Sequence, residues 1–433
     1  MVLLFFSTQL LAASVPVAQQ KGKEYTLEES IREALSNNRR LNAKRERIDQ
    51  AQNIRNQARA DFLPKFSTTY AYNRQSEERR FRSTLGGRIT ITSQDNYEWK
   101  GTITQPLFTG FAITSSYRLA ELGIDKSEME VELEKLDVVL RIKEAYFNIL
   151  SANKNLEVAQ KDVEARKSNV TLAKTFYKTG VIPVNDLLKA EVELANALQN
   201  LVTARNATRL AQAAFNKVLS RPIDAPVKVK DILVYRPEKA DFQKYVKMAF
   251  AHRPEIKLIN ISLQQADQQI RLAWSKIYPE INLTYNFIKA GNKPDVSGSP
   301  FHDAGRWELV ALFSWTPWEW GKSYYEVREK ENFKEELLQT KMALEDDIRL
   351  ELKEAILALK NTEENIPTTK KAVDQGKENL RVNEERYKVH MTTMTEVLDA
   401  QTLLTRARVN YYKALYQHNL ARARVERAIG IIY

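Results

Sequence analysis

The chain has 433 residues, enough to bury a large core, but only 13 Gly and 13 Pro, while 28% of its residues are charged; that balance favours long helices over many short segments. It has no cysteine, which excludes disulfides, thiolate metal sites, cysteine nucleophiles and an N-terminal lipidated cysteine. Its 66 Lys+Arg and 55 Asp+Glu are mixed along the chain, as on a solvated helical surface and unlike a nucleic-acid footprint.

In chain order, Val2-Leu3-Leu4-Phe5-Phe6 and Leu10-Leu11-Ala12-Ala13-Ser14 read as the apolar stretch and cleavage site of a secretory signal over residues 1–18. The first basic side chain is Lys21, so the usual positive leader is missing and the true start stays open. A fraying apolar terminus is the plainer alternative. No later run of 18 apolar residues occurs, so no transmembrane helix is expected.

The remainder is written twice. Ala34 to Tyr72 aligns with Ala249 to Phe287 at an offset of 215, pairing Leu41 with Ile256, Ala58 with Ala273 and Pro64 with Pro279. The offset becomes 211 at Pro106/Pro317 and Gly110/Gly321, then 210 from Glu144/Glu354 through Tyr177/Tyr387 to Leu194/Leu404. Residues 19–219 are expected to form a first repeat, 220–239 a linker and 240–433 a second repeat. Each repeat predicts helix, helix, strand, loop, strand, very long helix, sharp turn, long helix, with Thr26-Leu27-Glu28-Glu29 as a capping box at the first start.

The four strands alternate. Phe66, Thr68, Tyr70 and Tyr72 share one face of the first, and Tyr97, Trp99 and Ile103 one face of the second, against Glu98, Lys100, Thr102 and Thr104. Ile281, Leu283, Tyr285 and Phe287 line the third; Trp307, Leu309, Ala311, Phe313 and Trp315 line the fourth. Alternation alone also suits half-buried soluble strands. Aromatics near the strand ends, Tyr97, Trp99, Trp307 and Trp315, match the interfacial girdle of a membrane β-barrel. About eight strands are the fewest that close such a barrel, and open edges in lipid leave backbone groups unpaired. Four strands per chain therefore predict a homo-oligomer.

Beyond Gly110 and Gly321 come runs of about 65 residues, each about 100 Å long as a helix, with Pro367 the one interruption of the second. The returning helices carry a heptad seam. From 187 to 218 it reads Leu, Ala, Leu, Ala, Leu, Ala, Thr, Ala, Phe, Val; from 397 to 428 it reads Val, Ala, Leu, Ala, Tyr, Ala, His, Ala, Val, Ala. Large residues alternating with Ala let helices approach closely.

These features, with Tyr177-Lys178-Thr179-Gly180-Val181-Ile182-Pro183-Val184-Asn185-Asp186-Leu187 and Tyr387-Lys388-Val389-His390 through Glu396-Val397-Leu398-Asp399-Ala400-Gln401, resemble the TolC family of outer-membrane efflux proteins from Tyr25 to Tyr433. The resemblance implies a mainly α fold with a small membrane β-barrel: a homotrimer with twelve strands in outer-membrane lipid and antiparallel coiled coils forming a periplasmic α-barrel. It further implies a passive conduit that docks a periplasmic adaptor and an inner-membrane pump, with no cofactor, no catalytic residue and no nucleic-acid partner. Asp186, Tyr387, Glu396 and Asp399 fall on the family's periplasmic gate. Gly180, Val181, Ile182, Pro183, His390, Met391 and Thr392 fall on the tips that meet the adaptor. For Asp186 and Glu396 a plain role in the first turn of a helix stands equally open. Two departures matter: His390 stands where the family has Gly, and Thr392 where some members carry an Arg that ties the gate shut.

Rival signals are weaker. His390, Met391 and Met394 suggest a soft-metal site, since His390 and Met394 are expected one helical turn apart, but coincidence is the preferred account and no metal is assigned. Gly321-Lys322-Ser323 lacks the Gly at 316 that a phosphate loop needs. His252 and His418 read as structural. A soluble basic coiled-coil scaffold is the alternative function; it explains charge and heptads but not the paired aromatic strands. The cargo, the cognate adaptor and pump, and the ion selectivity are not written in the sequence.

Overall fold

A computed structural model describes residues 24–82, 88–237, 240–299 and 303–431. The expected signal over 1–18 lies outside them. The first repeat comprises β1 (Glu24–Tyr25), α1 (Leu27–Asn37), α2 (Arg39–Ala60), β2 (Lys65–Arg74), β3 (Arg79–Arg82), β4 (Arg88–Thr92), β5 (Asp95–Thr109), α3 (Ala112–Lys178) and α4 (Val184–Val218). β6 (Lys228–Val229) lies in the segment expected as linker, and the second repeat comprises α5 (Phe242–His252), α6 (Pro254–Ser275), β7 (Glu280–Gly291), β8 (Gly305–Ser314), α7 (Lys322–Lys388) and α8 (Met394–Ala428). Helix lengths repeat residue for residue. α1 and α5 have 11 residues, α2 and α6 22, α3 and α7 67, and α4 and α8 35.

Three details refine the sequence reading. The predicted loop between the first two strands contains a further antiparallel hairpin, β3–β4, which the sequence reading did not anticipate. Trp315 lies one residue beyond the end of β8. Pro367 does not interrupt its helix, because α7 runs through it; an exposed proline removes one backbone donor but leaves neighbouring turns bonded. The capping box is present, with Glu29 N–H donating to Thr26 Oγ1 and Thr26 N–H to Glu29, both at 3.2 Å. Among the described residues no helix is long and apolar enough to cross a membrane.

The chain divides into two compact units, each drawing on both repeats. Of the described residues, the first takes those up to Ser36, Arg141–Pro237 and Asn361–Leu420. Here the heptad seam faces inward: Leu187, Ala190, Ala197, Leu201, Thr208, Ala211 and Phe215 are buried, as are Val397, Ala400, Leu404, Ala414 and His418. Tyr146 fixes the short parallel pair β1–β6 to α3. Its hydroxyl donates to the Lys230 carbonyl at 2.7 Å and lies 3.0 Å from the Tyr25 carbonyl, and burial pushes its phenol up to about 12. His418 meets the Arg236 carbonyl at 3.0 Å, the structural role expected of it.

The second unit takes the described residues within Asn37–Leu140, Glu238–Lys360 and Ala421–Tyr433. It holds the antiparallel sheet β2-β5-β7-β8. The start of α6 is clamped by Arg253, whose buried guanidinium donates to Glu255 at 2.7 Å and to Glu351 at 2.6 Å. Burial opposes the charge on Glu255, but the hydrogen bond and charge of Arg253 outweigh it and hold the carboxyl below the usual glutamate range. Arg427 joins through Glu351 at 2.8 Å and Asp137 at 3.2 Å.

Candidate functional site

The sheet gives one apolar and one polar face, because pairing register keeps the alternation of each strand in step with its neighbours. Tyr70 pairs with Trp99, Phe66 with Ile103, Ile103 with Tyr285, Tyr285 with Leu309 and Phe287 with Trp307. The face is therefore aromatic and aliphatic across four strands. On the other face Thr102 donates to Asn286 at 2.8 Å, and Asn286 to Glu308 at 2.9 Å. A hydrogen-bonded polar ladder of this kind is at home against water, not hydrocarbon. The outer strands β2 and β8 are exposed along their full length, each with a free edge in one chain.

The sequence-predicted girdle falls at both ends of this face. Tyr97, Trp99 and Trp307 lie near one end, where Tyr97 stacks on Tyr72 at 4.7 Å and Trp99 meets Phe287 edge-on at 6.0 Å. Trp315 lies at the other end and donates its indole N–H to the Ile277 carbonyl at 3.0 Å. Eight residues separate Trp307 from Trp315, about 27 Å of strand, close to the roughly 25 Å apolar band of membrane barrels.

The helix tips lie in the first unit. α3 ends with Gly180 at φ +74, Gly180 N–H donating to the Tyr177 carbonyl at 3.0 Å and Val181 N–H to Phe176 at 2.9 Å. This pair of bonds is a Schellman motif, which needs a left-handed residue after the helix. α7 ends in the same way without glycine. His390 takes φ +59, its N–H donating to Tyr387 at 3.0 Å and Met391 N–H to Arg386 at 2.8 Å. The imidazole rests on Phe176, ring centres 4.9 Å apart, and Phe176 also meets Tyr387 at 5.6 Å. Because His390 belongs to the turn and α8 begins only at Met394, the one-turn spacing of the soft-metal alternative does not hold. Met394 is instead fully buried with Leu187, Tyr387 and Val397.

Of the expected gate residues, the structure brings two together. Tyr387 is buried, and its hydroxyl has no hydrogen-bond partner among the described residues. Burial first, and then the charge of Asp186, raise its phenol above the usual tyrosine range. Glu396 and Asp399 stand apart from this cluster, exposed on α8. Thr392 is half-buried, and Val181, Pro183 and Met391 are exposed at the turns, with Ile182 packed against the cluster.

Sequence reasoning missed a buried polar node in the same unit. Asp162 and Arg166, both over nine-tenths buried, pair at 3.1 Å along α3. Gln401 and Thr405 of α8 donate to Asp162 at 3.1 and 2.9 Å. Arg166 donates to Glu193 of α4 at 2.7 Å and to Thr402 at 3.0 Å. The available signal was two opposite charges four residues apart, on a face where Val158 and Val163 are buried.

The sequence model of the outer membrane efflux protein family matches residues 30–221 and again 245–431, one match in each repeat. No curated protein matches the sequence. Among solved structures, the CmeC outer membrane channel of Campylobacter jejuni superposes with a TM-score of 0.79 at 17% identity, over 93% of this chain and 85% of that one. VceC of Vibrio cholerae gives 0.78 at 17% identity, covering 93% and 96%. The open state of MtrE from Neisseria gonorrhoeae gives 0.74 at 19%, covering 93% and 88%. At such identities the likeness concerns the fold, and the matched family favours a channel over the soluble scaffold.

Proposed function

Since the chain belongs to the outer membrane efflux protein family, we propose that three copies close their sheets into one twelve-stranded barrel and conduct cargo passively from a periplasmic adaptor and an inner-membrane pump. The observation that carries this reading is the sheet itself. Its four strands have one apolar face, one hydrogen-bonded polar face and two open edges, β2 and β8. In lipid those edges must pair, and pairing β8 of one copy with β2 of the next closes the barrel without a new element.

A second feature supports a neighbouring copy. At Gly110, where β5 turns into α3, an added Cβ would run into the Ser275 carbonyl and lie 2.9 Å from Tyr278 Cβ. The repeat equivalents are Gly321 on one side and Ala60 to Leu63 on the other. Gly321, however, meets nothing within 4 Å but its own Tyr325. The end of α2 from an adjacent chain fits there.

At the tips, Asp186 and Tyr387 hold neighbouring helix ends together, and Glu396 and Asp399, repeated around the axis, form carboxylate rings at the entrance. Gly180, Val181, Ile182, Pro183, His390, Met391 and Thr392 present the surface for the adaptor. A passive duct uses no catalytic residue; the pump supplies the energy and chooses the cargo. The test is single-channel conductance in planar bilayers with divalent cations added to the tip side. Asp399→Ala reduces cation block about ten-fold if three carboxylates bind the ion. Unchanged block removes Asp399 from the entrance, and no conductance at all removes the duct.

A further inference from the structure

A groove of about 830 Å³ lies in the second unit between the start of α3 and the end of α6. Phe111, Tyr117, Trp274 and Tyr278 give it an aromatic wall, and Arg118 and Arg271 stand on its rim. Its place in the fold follows from the strands that flank it. Gly110 follows β5 directly, and Tyr278 lies two residues before the start of β7.

The aromatic wall continues the apolar face of the sheet. A bulge between Pro106 and Phe108 brings Phe108 opposite Ile281, which belongs to that face. Phe108 then meets Phe111 edge-on at 5.5 Å, and Phe111 meets Tyr278 at 6.0 Å. Phe111 is held at φ +71 although it is bulky and more than half exposed. A large side chain in the left-handed region costs free energy, and burial within the chain does not repay it here. Trp274 and Tyr278 are likewise more than two-fifths exposed.

The rim carries a matching charge. Arg118 pairs with Glu121 at 2.8 Å, on the surface. Arg271 is exposed and has no hydrogen bond or ion pair among the described residues. The three groups together leave one net positive charge beside an aromatic wall that runs on from a membrane-facing sheet. An amphiphile with an anionic head and apolar chains satisfies both parts, since guanidinium binds phosphate by paired hydrogen bonds and aromatic rings suit the interface.

We propose that this groove binds an anionic phospholipid of the leaflet into which the helical ends of the strands project; the proposal rests on the membrane-barrel reading. The phosphate meets Arg271 and Arg118, and an acyl chain lies along Phe111 and Trp274 towards Phe108. The site seats the barrel at a fixed depth.

The test uses the full chain, extracted from the outer membrane, placed in nanodiscs of phosphatidylglycerol mixed with phosphatidylcholine, and released into native mass spectrometry. The wild type retains phosphatidylglycerol in preference to phosphatidylcholine, and excess inorganic phosphate does not displace it. Arg118→Gln with Arg271→Gln lowers that retention by about five-fold per arginine removed, while Trp274→Ala lowers retention of both lipids. Equal retention of the two lipids by the wild type, or retention unchanged in the double variant, overturns the site. Displacement by inorganic phosphate would mean a bare anion site and also overturns it. If those failures occur in a particle that is still an oligomer from the outer membrane, the barrel reading stands and only the groove falls. A chain that is not in that membrane takes down both.

Discussion

The two repeats have helices of equal length but different chemistry at matched positions. At the strand-to-helix junction, Gly110 is filled from within its own chain by Ser275 and Tyr278, while Gly321 lies open. At the helix starts, Asn38 caps α2 by accepting from Arg40 N–H at 3.0 Å and Leu41 N–H at 3.2 Å. Its counterpart Arg253 makes no side-chain cap and instead reaches Glu255, Glu351 and the Ala428 carbonyl. Along the long helices, Asp162 and Arg166 correspond to Ala372 and Gly376. Duplication thus preserved backbone lengths, while each repeat came to serve a different neighbour. The junction of the first repeat is filled inside the chain, whereas that of the second lies open.

Four experiments sharpen that contrast. The largest effect is expected at the polar node that only the first repeat has. Asp162→Ala leaves Arg166 buried with Glu193 as its one remaining carboxylate and removes the acceptor for Gln401 and Thr405. Helix loss in urea, followed by circular dichroism, then comes at a stability lower by about 3 kcal/mol. A change below about 1 kcal/mol would mean that the node does not bind α3 to α8.

Next come the paired junctions. Gly110→Ala forces a Cβ against backbone and costs about 2 kcal/mol or more in the same measurement. Gly321→Ala meets only the flexible Tyr325 ring in one chain and costs about 1 kcal/mol there. Its larger effect is expected on assembly, so the variant elutes as free chains at a dilution where the wild type remains associated. If both variants lose stability equally and association is unchanged, the asymmetry of the junctions has no bearing on oligomer formation.

The helix starts differ in their response to acid. Glu255 has a lowered pKa in the folded chain, so its stabilising share is complete above the ordinary glutamate value and is lost as pH falls through the lowered one. Asn38 does not titrate. The melting-temperature advantage of wild type over Glu255→Gln therefore shrinks as pH drops below about 4. An advantage constant from neutral pH to pH 3 would show that the Arg253 clamp works by packing alone.

The smallest effect belongs to the tips. His390→Gly relieves a left-handed histidine but removes the ring from Phe176, and a net gain of less than about 1 kcal/mol is expected. A loss instead would show that the ring contact outweighs the backbone strain.

Much of this architecture is legible in the sequence because it is periodic. The offsets of 215 and 210 fix matching helix lengths, and alternation from Phe66 to Tyr72 fixes which face of β2 is apolar. The pattern 187, 190, 194 fixes the buried seam of α4. The surroundings of Tyr387 were legible only in part. The charge of Asp186 reaches Tyr387, and the burial of Tyr387 depends on Leu187, Met394 and Val397 arriving from other helices. The Asp162 and Arg166 spacing was readable, but the node was not, because its partners Gln401 and Thr405 lie 239 and 243 positions away. The turn at His390 is not legible in the sequence because side-chain identity argues against a left-handed residue, and the ring contact with Phe176 that offsets the cost is tertiary. Spacing reveals elements, whereas sites built from several helices need coordinates.

The most direct test of the central claim, that one chain carries an incomplete membrane barrel, is the mass of the particle extracted by detergent from the outer membrane. The account predicts three protein chains per particle, each with its sheet closed by the next. A stable single-chain particle with its secondary structure intact would contradict it, because β2 and β8 would then be edges that need no partner.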